Sequence, residues 1–219
     1  MSHPFTHPVP GQLISGQLQH PLVEIGTRTY YRGHAPLSWD ALGVRYLDAH
    51  PQHNDHLVIG NYCSIGQGCQ FLLGGNLGCR TEWISTFAFA RSTERIFRDA
   101  RDGQILAGDT CIGHDVWLGD QVVINPGVTI GNGAVIAHCA RVDRDIAPYE
   151  LVSANPDDPV RLRFSRSQIE ILQEIAWWHW SDDQLKGALG WLCSADIDGL
   201  YLYWQNRVCK PGSPSRGER

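Results

Sequence analysis

Cysteine and histidine are the residues of this sequence that could act as nucleophile, general base or metal ligand. The chain of 219 residues holds seven cysteines, from Cys63 to Cys209, and ten histidines. Seven is an odd number and no Cys-x-x-Cys spacing occurs, so the pattern does not indicate a disulfide framework. We expect free thiols in a reducing compartment, most of them small buried apolar side chains.

Two groups of these residues are candidates for a metal site. His50, His53 and His56 lie in one polar segment, and Cys63 and Cys69 follow it six residues apart. The histidine segment is rich in Pro, Gln, Asn and Asp and lacks the i, i+4 spacing of helical ligands, and two cysteines would need further ligands. We therefore predict no metal site.

Composition and charge limit the partners of the chain. The formal net charge is −5 and the isoelectric point is near 6.0, which argues against nucleic acid as a partner. No apolar stretch approaches the roughly eighteen residues of a membrane span, and the first residues lack the features of a secretory signal. We expect a cytoplasmic protein of one domain with at most a small appendage.

An aliphatic side chain recurs at every sixth position over thirty residues. Glycine follows it at Gly113, Gly119 and Gly131, and Asn125 and Ala137 stand at the equivalent places. A shorter run begins at Ile59-Gly60, and Ile25-Gly26 is an isolated instance. The main series is Ile112, Leu118, Ile124, Ile130, Ile136 and Val142.

A period of six belongs to neither an α-helix nor a single long strand. It fits short strands joined by turns, in which three hexapeptides complete one coil and each aliphatic side chain points inward. Successive coils then stack at about 4.8 Å, the spacing of paired strands. The period therefore predicts a mainly β fold, a left-handed parallel β-helix of hexapeptide repeats.

The rest of the chain departs from this period in two places. We assign residues 1–160 to the β-helix, with an inserted loop at about 74–104 where we expect binding residues. Residues 161–209 are assigned to a helical C-terminal cap, since Ser165 with Gln168 and Ser181 with Gln184 have the spacing of capping boxes. The polar tail, 210–219, is expected to be disordered.

Longer motifs resemble a known family. They lie at 59–66, 75–78, 112–119, 126–127, 145–149 and 177–181, the last reading Trp-Trp-His-Trp-Ser. Over about residues 10 to 205 the sequence is similar to the xenobiotic acetyltransferases of the hexapeptide superfamily, the type B chloramphenicol and virginiamycin acetyltransferases.

The resemblance implies a homotrimer with active sites between subunits, which acetylates a hydroxyl-bearing small molecule such as an antibiotic. A coenzyme A thioester is the implied co-substrate, lying in the groove between two β-helices. The implied substrate-binding residues are Tyr30, Tyr31, Asn76 and Arg80. The implied cofactor-binding residues are Trp117, Gly119, Ala137, Asn155, Pro156, Arg161 and Arg163.

Two departures from the family pattern affect the chemistry. The family places a general-base histidine in an Asn-x-Gly-His-Arg setting, and this sequence has Cys79 there, within Asn76-Leu77-Gly78-Cys79-Arg80. Near the expected coenzyme phosphates, Asp157 and Asp158 replace an alanine and a lysine, and each carboxylate would repel a polyanion.

We expect transfer of an acyl group from a thioester donor to a hydroxyl or amine of a small molecule, and three hypotheses follow from these departures. The first is an O-acyltransferase that uses another base, with His34 and His114 as the candidates. The second makes Cys79 a nucleophile, because a thiolate near Arg80 attacks thioesters well and the donor could then be a carrier-protein thioester. The third is a trimer without catalysis that still binds a small molecule.

Overall fold

The computed structural model of the chain describes residues 11–33, 38–47, 55–77 and 79–209. These residues form two compact units that divide between Leu162 and Arg163. The first unit holds one short helix, α1 (Trp39–Leu42), and fifteen described strands. The strands are β1 (Gln12–Leu13), β2 (Val23–Ile25), β3 (Tyr30–Tyr31), β4 (Val44–Arg45), β5 (Leu57–Ile59), β6 (Ser64–Ile65), β7 (Gln70–Leu72), β8 (Thr110–Ile112), β9 (Trp117–Leu118), β10 (Val123–Ile124), β11 (Thr129–Ile130), β12 (Val135–Ile136), β13 (Arg141–Val142), β14 (Glu150–Val152) and β15 (Arg161–Leu162).

Each strand from β2 to β10 pairs with the strand three places further along the chain. The parallel ladders are β2-β5-β8-β11, β3-β6-β9-β12 and β4-β7-β10-β13. The β14 strand extends the second ladder in parallel, whereas β1 and β15 join its two ends antiparallel. Three strands therefore complete one coil, and the three parallel sheets fit the predicted left-handed β-helix.

The predicted aliphatic series forms the core of the coils. All six side chains from Ile112 to Val142 are at most 2% exposed. Ile112 stands in register with Ile130 on the next coil and with Ile59 on the preceding one. In the same way, Leu118 is in register with Ile136, and Ile124 is in register with Val142. The prediction of inward columns is confirmed.

Glycine follows these aliphatic residues because the next coil passes too close for a side chain. A Cβ atom on Gly60 would lie 2.5 Å from the carbonyl oxygen of Gly113, and one on Gly119 would lie 2.6 Å from the amide nitrogen of His138. Both neighbours are backbone atoms of chain that is hydrogen-bonded to neighbouring coils, through the amide of Gly113 to Ile130 and the amides of Ala137 and Cys139 to Val152 and Asp120. Neither can give way without disturbing the stack.

The cysteines differ widely in their exposure to solvent. Cys63 and Cys69 are buried and donate to the carbonyl oxygens of Gly113 and Gly119, at sulfur–oxygen distances of 3.0 and 3.2 Å. Burial raises the pKa of each thiol to about 12. The expectation that most cysteines are buried is wrong, because four of the seven are exposed: Cys79, Cys139, Cys193 and Cys209.

The parallel ladders are interrupted once, between β7 and β8. Ile59 and Ile112 are in register although 53 residues separate them, whereas one uninterrupted coil takes 18. We call residues 73–109 the excursion. It contains two short 3-10 turns, Phe89–Arg91 and Arg95–Phe97, and the rings of Phe87, Phe89 and Phe97 pack together with centroid distances of 4.8 to 6.2 Å.

The second unit is helical. Its helices are α2 (Arg166–Ile175), α3 (Asp182–Leu192) and α4 (Ile197–Tyr203), with a 3-10 turn at Trp177–His179. Ser165 with Gln168 and Ser181 with Gln184 form the two predicted capping boxes. Among the helices of the described ranges, none is long and apolar enough to cross a membrane. The predicted tail, 210–219, lies outside the described residues.

A pair of glycine-to-alanine variants tests the closeness of the coils. We expect Gly60→Ala to lower the free energy of unfolding by about 1–3 kcal/mol, because the added methyl group meets the backbone of the next coil. Gly190→Ala is the matched control, since no atom lies within 4 Å of its added Cβ in α3. It should leave stability unchanged or raise it by about 0.5–1 kcal/mol. Urea denaturation of both variants measures the difference, and equal stabilities would contradict the close approach.

The cysteines provide a second test. At pH 8, iodoacetamide should alkylate Cys79, Cys139, Cys193 and Cys209 in the folded protein far faster than Cys63 and Cys69. Burial excludes the reagent from the last two, and their pKa near 12 leaves almost no thiolate at that pH. Mass spectrometry of peptides after timed quenching gives the rates. Urea should remove the difference, and rapid labelling of Cys63 without urea would contradict the burial.

Candidate active site at the base of the excursion

The two ends of the excursion meet at the surface of the β-helix. Asn76 joins them through its carboxamide, which donates to the carbonyl oxygens of Cys79 (2.8 Å) and Gly103 (2.9 Å) and accepts from the amide of Ile105 (2.7 Å). A Cβ on Gly75, which has a φ of +60°, would lie 2.0 Å from the oxygen of Ile105. Asn76, predicted to bind substrate, therefore holds the excursion closed through these bonds.

Cys79 lies beside this closure and is exposed. Its amide donates to the carbonyl oxygen of Asn76 at 2.9 Å, which fixes the backbone at that position. The guanidinium of Arg80 forms an ion pair with Glu82 at 2.5 Å, and its Cζ lies 5.6 Å from the ring centroid of Trp83. Arg80 is thus occupied by these two side chains, and no hydrogen bond joins it to Cys79 in the part of the chain that the structure describes.

The two tyrosines predicted to bind substrate point to opposite faces of one sheet. Tyr31 points into the core, where it is 4% exposed, and its hydroxyl donates to the carbonyl oxygen of Ala41 at 2.7 Å. Burial raises the pKa of Tyr31. Tyr30 lies on the outer face, in register with Ser64, which is in turn in register with Trp117. Only Tyr30 of the two is therefore placed to contact a bound molecule directly.

Trp117 and the small residues after it form part of the same outer face. The ring of His138 packs edge-on against Trp117 at a centroid distance of 5.2 Å. Gly119 is buried under the backbone of His138, and the amide of Ala137 donates to the carbonyl oxygen of Val152 at 2.8 Å. These predicted cofactor-binding residues thus lie on one coil edge, next to a half-buried indole.

His114, predicted as a candidate base, stands at a corner of the coils and is held there by the backbone. Its Nδ1 accepts a hydrogen bond from the amide of Asn61 at 2.8 Å, and its own amide donates to Oδ1 of Asn132 at 2.8 Å. An Nδ1 that accepts requires the neutral ring to carry its proton on Nε2. His114 therefore lacks a free lone pair for proton abstraction while this hydrogen bond is kept.

In His56, Nδ1 faces a carboxylate oxygen, whereas Nδ1 of His114 accepts a backbone amide. The His56 Nδ1 lies 3.2 Å from Oδ1 of Asp109, and the His56 amide donates to the same oxygen at 2.8 Å. Each residue directly precedes one of two strands in register, β5 and β8, so the repeat itself brings them together. Ile59-Gly60 and Ile112-Gly113 carry the same motif, but the excursion between them hides the spacing, so the sequence alone does not predict this contact.

The segment predicted to meet the coenzyme is exposed and internally bonded. Asn155 donates through Nδ2 to Asp158 at 2.9 Å and accepts from the amide of Asp157 at 3.2 Å. Pro156 and Arg161 are exposed. Arg163, in the second unit, lies over the ring of Phe164 with its Cζ 5.2 Å from the centroid. The carboxylate of Asp158 is therefore engaged locally.

Three of the singled-out histidines lie outside the described residues: His34, His50 and His53. The candidate base His34 is thus not placed. Within the described ranges, no three His, Cys, Asp or Glu side chains gather into a group that would hold a metal ion.

Comparison with known proteins agrees with the hexapeptide repeat. Residues 109–144 match the family model described as bacterial transferase hexapeptide (six repeats). A solved structure, the hexapeptide-repeat-containing acetyltransferase from Vibrio cholerae, aligns with a TM-score of 0.41 and 27% identity over 66% of this chain and 62% of that chain.

Two curated relatives match almost the whole chain. The chloramphenicol acetyltransferase of Morganella morganii is 40% identical over 210 residues, which cover 95% of this chain and 100% of the relative. The chloramphenicol acetyltransferase of Escherichia coli is 41% identical over 207 residues, which cover 94% and 98%. The chain therefore belongs to the hexapeptide-repeat acetyltransferase family that includes these enzymes.

Proposed function

We propose that this acyltransferase moves an acetyl group from acetyl-coenzyme A to a hydroxyl group of a small, chloramphenicol-like acceptor in the cytoplasm. One observation carries the proposal: about 40% identity over nearly the full length of relatives named chloramphenicol acetyltransferase. Identity of this extent includes the strands, the excursion and the helices, so the elements that shape an acceptor site are shared together.

The proposed assembly is a homotrimer with active sites between subunits and with the second unit as a helical cap. The excursion supports an assembly, because it exposes large apolar side chains. Ile84 is fully exposed in the single chain, Ile96 is 79% exposed and Phe87 is 58% exposed. Side chains of this kind are rarely left in water, and a neighbouring subunit would cover them.

The donor end of the proposed site has a weakened attraction for coenzyme phosphates. Asp157 and Asp158 are both exposed, whereas Arg161 and Arg163 supply the positive charge expected there. Asn155 donates a hydrogen bond to the carboxylate of Asp158. Asp157 is therefore expected to repel the coenzyme phosphates more strongly than Asp158 does. We therefore expect acetyl-coenzyme A to bind, with an affinity that Asp157 lowers.

A second candidate function uses Cys79 as the nucleophile. The exposure of its thiol favours this route over any role for the buried Cys63 and Cys69. The thiolate would attack the thioester carbonyl carbon of coenzyme A or of a carrier protein, the donor thiolate would leave, and the acyl group would pass to the acceptor. The ion pair of Arg80 with Glu82 weakens this alternative, because Glu82 compensates the positive charge of Arg80 that would stabilise a thiolate at Cys79.

Variants of Cys79 distinguish the two routes. We expect wild-type protein to release free thiol from acetyl-coenzyme A in the presence of chloramphenicol-like acceptors. Cys79→Ala should retain most of this rate, because the first route does not pass through the thiol. Cys139→Ala, which removes another exposed cysteine, is the matched control. Release is followed with a thiol reagent after the protein is removed.

Each contrary outcome selects one of the other hypotheses. A mass increase of one acetyl group on Cys79, together with loss of turnover in Cys79→Ala, would establish the nucleophile. Turnover found only in Cys79→His would overturn the first route for this donor. Absence of turnover in wild type across the acceptor panel, with acceptor binding retained, would indicate a binding trimer.

A charge-reversal variant tests the donor end. Asp157→Lys should lower the KM for acetyl-coenzyme A by about threefold to tenfold, because a repulsive carboxylate becomes an attractive ammonium group beside the phosphates. Glu24→Lys makes the same change of net charge on an exposed residue of β2 and should leave the KM unchanged. The difference should shrink in high salt. An equal effect of both variants would show a general charge effect and no local contact.

A further inference from the structure

Three histidines stand at coil corners in the described residues, and their rings differ in which nitrogen is free. His114 and His138 each accept a backbone amide on Nδ1, from Asn61 and Asp120 respectively, both at 2.8 Å. Both rings therefore carry the neutral proton on Nε2 and serve as acceptors for the adjacent coil. His56 instead has a carboxylate within hydrogen-bond distance of Nδ1, that of Asp109 at 3.2 Å, whereas the Asp120 carboxylate beside His138 lies 3.9 Å from its Nδ1.

The carboxylate of Asp109 fixes the tautomer of His56. An ionised carboxylate only accepts hydrogen bonds, so Nδ1 of His56 must donate across the 3.2 Å contact. Nε2 then holds a lone pair, and this ring nitrogen has no hydrogen-bond partner in the described part of the chain. The His56 side chain is 46% exposed and that of Asp109 is 53% exposed, so a small molecule can reach them. An oriented imidazole with a free Nε2 is the arrangement of a general base.

Coil stacking alone does not account for the ring contact. The amide of His56 already donates to Oδ1 of Asp109, which joins the two coils at this corner in the same way as at the others. The additional contact between exposed side chains adds little to the stability of a protein. The ring geometry is therefore available for chemistry without a cost to the fold.

The pair lies where the excursion leaves and rejoins the β-helix. Asp109 is the last residue before β8, and the amide of Thr110 donates to the carbonyl oxygen of His56 at 2.8 Å. On the other side, the buried carboxylate of Asp55 accepts from the amide of Gly74 at 3.2 Å. His56 is thus bonded through its neighbours to both ends of the loop that carries Cys79.

We propose that His56, oriented by Asp109, is the general base of the acetyl transfer, in place of the histidine that the family pattern expects at position 79. This inference rests on the proposed function. Nε2 takes the proton of the acceptor hydroxyl as its oxygen attacks the thioester carbonyl carbon. The carbon–sulfur bond then breaks, and the imidazolium returns the proton to the departing coenzyme A thiolate, so charge and atoms balance.

Kinetics of three variants test the assignment. His56→Gln should lower kcat by about 10²- to 10⁴-fold with little change in the KM for acetyl-coenzyme A, because the base acts on the reacting proton and not on binding. Asp109→Asn should lower kcat by about tenfold or more, since its amide oxygen still accepts the backbone amide of His56 but no longer stabilises the imidazolium. His20→Gln, the matched control, should keep a kcat close to that of wild type, because Nδ1 of His20 accepts a backbone amide, that of Leu22 at 3.2 Å.

A rescue experiment separates catalysis from structure. Added imidazole should restore part of the lost rate in His56→Ala, a result that a merely structural role would not give. Wild-type kcat in His56→Gln, or an equal loss in His20→Gln, would overturn the assignment while leaving the proposed function standing. No turnover by wild type with any acceptor would overturn both.

Discussion

Successive coils of the first unit are joined by backbone hydrogen bonds such as those from Gly60 to Ile112 (2.9 Å) and from Gly113 to Ile130 (2.7 Å). These bonds bring neighbouring backbones to the spacing of paired strands, about 4.8 Å. Inside the coil, that spacing admits one aliphatic side chain per face, in contact with the residues eighteen positions away. At corners such as those of Gly60 and Gly119 it leaves no room for a Cβ, which explains why glycine follows so many of the inward residues.

The same spacing creates a demand for hydrogen-bond acceptors at the corners. The chain turns there, and amides such as those of Asn61 and Gln67 point along the stack with no strand carbonyl to receive them. Side chains from the next coil accept instead: His114 for Asn61, and Asp120 for Gln67. Polar residues at corners are therefore structural first. Such a residue can act as a base only if it keeps a lone pair that is not engaged in a hydrogen bond between coils. His56 keeps one on Nε2, whereas the lone pair of His114 accepts the amide of Asn61.

The period of six was enough to predict the coils and the inward columns, because one aliphatic side chain per face is a strong constraint. The register of Ile59 with Ile112 came from the structure, since the excursion between them breaks the period. The capping boxes at Ser165 and Ser181 were readable for a similar reason, since each needs two residue types at a fixed spacing. The site was less predictable. The carboxamide of Asn76 closes the excursion through atoms near positions 79, 103 and 105, and no local pattern specifies contacts between such distant positions. Burial of the cysteines was also misjudged, because a corner such as that at Cys139 exposes a residue which composition alone would place inside.

The position of His56 beside the excursion also explains why the proposed chemistry does not require a histidine at position 79. A base on the loop depends on the loop's own closure, here the hydrogen bonds of Asn76, for its position. A base at a coil corner takes its position from strands β5 and β8, whose pairing the core side chains enforce through Ile59 and Ile112. Preorganisation of this kind reduces the motion that a catalytic group must lose before it reacts. Once a corner histidine meets a carboxylate on the next coil, the residue at position 79 is released from acid–base work. Its type can then change while Asn76 and Arg80, which shape the surrounding loop through their own contacts, are kept.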